Sequence, residues 1–261
     1  MCYYGVMIDF TVKGAIFDID DTLLDNKPDI SGGGLHERSR LQAVQEVGKK
    51  HGIKELEHIS IKDNWDAFQT APVHTIESAV WNMFVRAGLA DSVVPNLDDP
   101  LLKEIVKRKD ELHEVIMIEE ADEVAGASAF VKKLAASGLQ DTLAIASSAA
   151  RRDVDIFLRK KGIDDCFPPE RITTKEDITH SKPNPEIFNR AFDTLGLPEA
   201  DRSQVCAFED DARGIMSARA AGLYVCAIAT RFPKEELMAL EVPPHVVADS
   251  FAEFEELFGL K

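Results

Sequence analysis

The stretch Lys13-Gly14-Ala15-Ile16-Phe17-Asp18-Ile19-Asp20-Asp21-Thr22-Leu23-Leu24-Asp25 decides how the rest of the chain reads. Ala15, Ile16 and Phe17 form a short apolar run that reads as a buried strand. It stops at Asp18, Asp20 and Asp21, where a buried strand should not continue. In an open parallel sheet, ligands sit beyond the carboxyl ends of the strands, so acids at such an end face a crevice where chemistry takes place. The plain alternative is a strand that runs into an acidic turn.

Three segments further along the chain favour the chemical reading. Thr142-Leu-Ala-Ile-Ala-Ser147-Ser148 is a second apolar run, closed by hydroxyls. Ser147 Oγ and the backbone N–H of the adjoining Ser148 could hold a phosphoryl oxygen without adding charge, although Ser-Ser after a strand also reads as a turn or helix cap. His180-Ser181-Lys182-Pro183-Asn184-Pro185 sets one lysine in a segment that proline keeps out of helix. Val205-Cys-Ala-Phe-Glu209-Asp210-Asp211 is a third run ending in carboxylates, with Asp211 placed to cap the helix that follows.

Asp18-Ile19-Asp20-Asp21-Thr22 resembles the Asp-x-Asp-x-Thr first motif of the haloacid dehalogenase-like superfamily of phosphotransferases. The other segments resemble its second motif, its Lys-Pro-x-Pro third and its Glu-Asp-x-x-x-Gly fourth. The resemblance implies that Asp18 is the nucleophile, forming an aspartyl-phosphate, and that Asp20 is the general acid/base. It implies phosphate binding by Ser147, Ser148 and Lys182, and Mg²⁺ held by Asp18, the backbone carbonyl of Asp20, Asp210 and Glu209. Magnesium suits such hard oxygen donors better than zinc does. The superfamily's dehalogenase branch lacks the second aspartate.

Between the first two segments the alternation of strands and helices is interrupted. Residues 25–34, with Pro28 and the run Ser31-Gly32-Gly33-Gly34, read as a hinge. Helical patterns then cover 35–51 (Leu41, Val44 and Val47 in phase), 65–68, 76–87 and 101–118 without a convincing strand. From Gly126 the alternation resumes: helices at 127–136, 153–161, 184–195, 212–221 and 251–258, strands at 142–146, 204–208, 223–229 and 245–248. Ser250 with Glu253 reads as a capping box. The fold class expected is α/β: a Rossmann-like parallel sheet core with helices on both faces, plus an inserted all-helical cap domain. Residues 1–25 and 125–261 would form the discontinuous Rossmann-like catalytic core, and residues 26–124 the cap.

Composition sets outer limits. The 261 residues carry 46 acidic against 30 basic side chains, a formal net charge of −16, which opposes nucleic acid and anionic membranes as partners. Phosphate must therefore be bound locally. No run reaches the ~18 apolar residues of a membrane span. The N-terminus lacks the pattern of a secretory leader. Cys2, Cys166, Cys206 and Cys226 show no Cys-x-x-Cys spacing and read as small buried hydrophobes, in keeping with a reducing, cytoplasmic setting. Residues 1–11 either add an edge strand or pack on the surface.

Taken together, the resemblance implies a Mg²⁺-dependent phosphatase of a small phosphorylated metabolite such as a sugar phosphate, as monomer or homodimer. His36 and Lys109 sit where caps of the beta-phosphoglucomutase type carry a His and a Lys, which keeps a phosphomutase open as the alternative. Against it, no arginine occurs between Arg40 and Arg86, and Asp21 stands where those mutases usually have glycine. Arg151 replaces an amide side chain that often binds the second phosphate. A non-catalytic binding or regulatory protein of the same fold is the remote alternative.

Overall fold

The computed structural model describes residues 9–26, 33–73 and 75–260. Among these residues the apolar runs form one six-stranded sheet: β1 (Gly14–Phe17), β2 (Leu143–Ala146), β3 (Ile172–Thr173), β4 (Val205–Glu209), β5 (Tyr224–Ile228) and β6 (Val246–Ala248). Its order is β3-β2-β1-β4-β5-β6, with every neighbouring pair parallel. β1 lies between β2 and β4, and Phe17 is in register with both Ile145 and Phe208. The strand order reverses between β1 and β4, so the carboxyl ends of these neighbours form the crevice where such sheets bind ligands.

By its internal contacts the chain divides into two compact units, Met1–Asp25 with Asp122–Lys261, and Asn26–Ala121. The passages out of and back into the first unit are neighbours: Asp25 N–H donates to Asp122 O at 3.0 Å and Val124 N–H to Leu23 O at 2.9 Å.

The second unit is helical among its described residues: α1 (Leu35–His51), α2 (Lys54–Glu57), α3 (Ile61–Gln69), α4 (Ile76–Arg86) and α5 (Pro100–Glu120). Ser60 and Asp63 cap α3 reciprocally, Thr75 caps α4, and Asp99 caps α5, where Pro100 takes the first turn that needs no N–H. Val44, Val47, Val80, Phe84, Leu102 and Ile105 form its core. Arg40 is fully buried, which the helical pattern of α1 did not indicate: Leu41, expected on the core face, is only half-buried. The Arg40 Nε donates to Asn64 Oδ1 at 2.7 Å, and the guanidinium lies over Phe68. Burial draws its pKa down to about 10 against the opposing pull of Glu37.

In the first unit α6 (Ala127–Leu134), α7 (Arg151–Lys161), α8 (Glu186–Thr194), α9 (Ala212–Ala220), α10 (Lys234–Met238) and α11 (Phe251–Leu257) accompany the sheet. Strand side chains alternate between its faces. Ile16, Ala144, Val205, Ala207 and Val225 pack with Ile187 and Phe188 of α8 and Ile215 of α9. On the other face Phe17 stacks on Phe208 at 4.6 Å, and both meet Phe130 of α6 edge-on. The parallel sheet with helices on both faces is thus present.

Several local expectations change. β3 was absent from the pattern, being two residues long, as were the one-turn helices α2 and α10. α6 ends two residues early and continues as a π turn to Leu139, with Gly138 left-handed at φ 104°. Ser250 caps α11, but the carboxylate of Glu253 accepts from Asp249 N–H, leaving the capping box half made. Residues 1–8, which include Cys2 and most of the N-terminal stretch, and residues 27–32 of the expected hinge lie outside the described residues. Phe10 packs edge-on against Tyr224. Cys166, Cys206 and Cys226 are buried free thiols.

Candidate functional site

The strand pairing continues one residue past β1, where Asp18 N–H donates to Phe208 O at 3.0 Å. The chain then winds tightly: Leu23 and Leu24 N–H groups both donate to Ile19 O, and Asp21 N–H donates to Leu24 O at 2.7 Å. This turn holds Asp21 in the left-handed region at φ 59°, an uncommon conformation for a residue with a side chain. Asp18 is buried and Asp20 half-buried.

Glu209 closes the neighbouring strand β4, and Asp210 follows it. Asp211 caps α9, its Oδ1 accepting from Gly214 N–H at 2.8 Å, as expected of that residue. Gly214 also has a steric role: a Cβ there would stand 2.0 Å from the Glu209 carboxyl carbon. The Glu209 carboxylate occupies the space that any larger residue would fill.

Lys182 reaches the same place from the segment before α8. Its Nζ lies 2.6 Å from Asp18 Oδ1 and 2.6 Å from Glu209 Oε1, with all three side chains buried. Glu186, in the first turn of α8, holds the segment, its carboxylate accepting from the N–H groups of Thr179 at 3.0 Å and His180 at 2.8 Å. Ser217 Oγ on α9 donates to Asn184 O at 2.7 Å. The ammonium is thereby set from two sides.

Three carboxylates, Asp18, Glu209 and Asp210, each offer an oxygen within 4.8 Å of the others. Burial pushes all three pKa values up. For Asp18 the pull of Lys182 opposes that rise, and Glu209 and Asp20 add to it. Burial alone would draw the Lys182 ammonium down, but Asp18 and Glu209 override it and hold its pKa above the usual lysine range. One ammonium against three buried carboxylates leaves negative charge that a low-dielectric site penalises. Asp210 Oδ2 is buried without a hydrogen-bond partner. An all-oxygen donor set with one orphaned lone-pair position fits a hard divalent cation.

At the end of β2, Ser147 is fully buried and Ser148 exposed. The backbone N–H of Ser147 is committed to Thr173 O at 3.0 Å, while its Oγ accepts from Ala149 N–H at 3.1 Å. The Ser147 hydroxyl proton therefore remains a candidate donor to an anion. Arg151, at the first position of α7, pairs through Nε with Asp155 at 3.0 Å, and its Nη1 reaches Ile172 O at 3.5 Å. His36 and Lys109 both belong to the helical unit. The His36 ring stacks on His113 at 4.2 Å, and Lys109 is buried with its Nζ 3.5 Å from Asp110.

Two contributors were missed. Thr230 Oγ1 donates to Asp21 O at 2.6 Å, and Arg231 lies 3.6 Å from Asp21 Oδ2 and 4.0 Å from Asp210 Oδ2. Both follow β5, so the rule that strand ends carry the chemistry could have found them.

The model of the haloacid dehalogenase-like hydrolases matches residues 12–222. The chain belongs to that family. Among curated relatives, this haloacid dehalogenase-like hydrolase is 32% identical over 226 residues to the protein CbbY of Rhodobacter capsulatus, covering 85% of this chain and 88% of the relative. It is 25% identical to glycerol-1-phosphate phosphohydrolase 2 of Saccharomyces cerevisiae, over 86% of this chain and 78% of the relative. Its fold is similar to a family IA hydrolase of this type from Entamoeba histolytica, with a TM-score of 0.70 and 20% identity over 95% of this chain and 98% of the other. Among the described residues, no helix is long and apolar enough to cross a membrane.

Proposed function

We propose that this enzyme is a Mg²⁺-dependent phosphatase acting on a small phosphorylated metabolite such as a sugar phosphate, through an aspartyl-phosphate on Asp18. The observation that carries the reading is the buried trio Asp18, Glu209 and Asp210, with Lys182 bridging two of its members at 2.6 Å. Asp18, Asp210, the carbonyl of Asp20, and Glu209 directly or through water would hold the cation. When bound, magnesium supplies the positive charge that lets a carboxylate approach a phosphate dianion.

In this reading the Asp18 carboxylate attacks phosphorus and the bond to the leaving oxygen breaks. Asp20 donates a proton to that oxygen. Asp20 then takes a proton from water, which attacks the phosphorus and frees Asp18, so the sum is monoester plus water giving alcohol plus phosphate. Lys182 spreads the charge carried by the transferring group, and the Ser147 hydroxyl with the Ser148 N–H orients its oxygens. His36, Lys109 and Arg151 are the residues to test for contact with the rest of the substrate. A small phosphomonoester is further supported by the relative named glycerol-1-phosphate phosphohydrolase.

The test is phosphate release from p-nitrophenyl phosphate and a panel of sugar phosphates with Mg²⁺, for wild type and Asp18→Asn. Turnover by the wild type and its loss in a folded Asp18→Asn protein are expected. Residual activity within about tenfold of wild type would contradict the nucleophile assignment. Incubation with beta-glucose 1-phosphate separates the reactions: glucose 6-phosphate formed without net phosphate would make the enzyme a mutase.

A further inference from the structure

The acidic centre has a second cation that the reaction as read above does not use. Arg231 Nε lies 3.6 Å from Asp21 Oδ2 and its Nη1 4.0 Å from Asp210 Oδ2. Its guanidinium carbon is 5.5 Å from the centre of the Phe232 ring, and the side chain is 29% exposed. The adjoining Thr230 clamps the same turn by donating to Asp21 O at 2.6 Å. Residues 230 and 231 therefore grip Asp21 twice, by hydroxyl on carbonyl and guanidinium on carboxylate, at the position where the backbone is held left-handed.

The carboxylates thus fall into two sets with separate cations. Lys182 is hydrogen-bonded between Asp18 and Glu209, while Arg231 stands over Asp21 and Asp210 beyond hydrogen-bond length. The difference matters. Asp210 feels a positive charge, yet Asp210 Oδ2 keeps its lone pairs unengaged. A shorter contact would occupy the oxygen that a cation needs. With no contact at all, the centre would carry a larger uncompensated negative charge.

We propose that Arg231 is a positioning residue that sets how tightly the centre holds its divalent cation. Anchored by Asp21, the guanidinium lowers the negative potential at Asp210 and weakens cation binding, without competing for the ligand oxygen. This rests on the reading of Asp18, Glu209 and Asp210 as a magnesium site. A fixed positive charge several ångströms from a divalent ion, partly screened by water, shifts such binding by about tenfold.

The experiment is calorimetric titration of the chelator-treated full chain with MgCl₂, for wild type, Arg231→Gln, Arg231→Met and Arg231→Lys, with a thermal melt of each. Arg231→Gln and Arg231→Met are expected to bind Mg²⁺ about tenfold more tightly than wild type, and Arg231→Lys, which keeps the charge, close to wild type. Tightening is a sign that a damaged structure would not give, since loosening the turn disperses the ligands. Equal or weaker binding by both neutral variants, with wild-type melting retained in at least one, would overturn the inference alone. Failure of the wild type to bind Mg²⁺ would overturn the magnesium reading, and the inference with it. Should both neutral variants melt well below wild type and bind no more tightly, Arg231 is structural and the inference is likewise overturned.

Discussion

Replacing Lys182 by methionine keeps most of the side-chain volume and removes the ammonium that lies 2.6 Å from both Asp18 and Glu209. At an effective dielectric near 20, each contact of that length is worth roughly 6 kcal/mol before desolvation is counted. Desolvating three buried groups offsets most of this, and removing one partner of a buried ion pair costs about 3–5 kcal/mol. For a unit of this size that corresponds to a melting temperature lower by roughly 6–20 °C. The deficit should depend on pH. Without Lys182, burial drives the pKa values of Asp18 and Glu209 further above those of the unfolded chain, so over the window between the two the native state binds more protons. Stability then falls as pH rises through that window, and the deficit against wild type widens as pH rises and narrows as it falls. The assay is urea unfolding of both proteins across that range with excess chelator, so that no metal substitutes for the lost charge. A difference under about 1 kcal/mol, or one flat with pH, would refute the argument that the ammonium balances these carboxylates.

Gly214→Ala would drive a methyl into the Glu209 carboxylate, so phosphatase activity should fall at least tenfold with a stability loss of about 1–3 kcal/mol. Wild-type activity in that variant would show that the carboxylate's seat is immaterial. His245 gives a pH signature far from the site: its Nδ1 accepts from Val225 N–H at 2.8 Å, its Nε2 faces Arg219, and Tyr224 stacks on the ring. Desolvation and then the Arg219 charge pull its pKa down to about 4. Between the unfolded value near 6.5 and that figure, the unfolded chain takes up a proton that the native state refuses, so stability is lost as pH falls through this window. Against wild type, His245→Gln should show a smaller loss from pH 6.5 to 4 in urea midpoints, and parallel curves would contradict the assignment.

Where a segment repeats a chemical pattern at a strand end, the sequence was sufficient to read it. Asp18, Ser147 and Glu209 each end or follow an apolar run, Lys182 is marked instead by Pro183 and Pro185 after it, and the residues of β1, β2 and β4 are near-continuously apolar because both faces of the sheet are covered. β3 escaped because Ile172–Thr173 is too short to show a period. Arg40 escaped for a different reason: a charged residue on a helix reads as solvent-facing, and the Asn64 carboxamide and Phe68 ring that make its burial tolerable lie 24 or more positions away in the chain. Arg231 follows a strand end, that of β5, but nothing local marks which groups it faces. Its role depends on its distances to Asp21 and Asp210, which are far from it in the chain.

The adjacency of residues 25 and 122 bears on how such an enzyme changes over time. Because the strand-bearing unit closes on itself at that seam, through the Asp25 to Asp122 and Val124 to Leu23 hydrogen bonds, its folding does not require the intervening 96 residues to span any gap. Whatever occupies that insertion point can lengthen, shorten or be exchanged while the reactive groups stay where they are. The strand-bearing unit with its acidic centre and the helical insertion are then separate pieces of the chain, free to diverge at different rates.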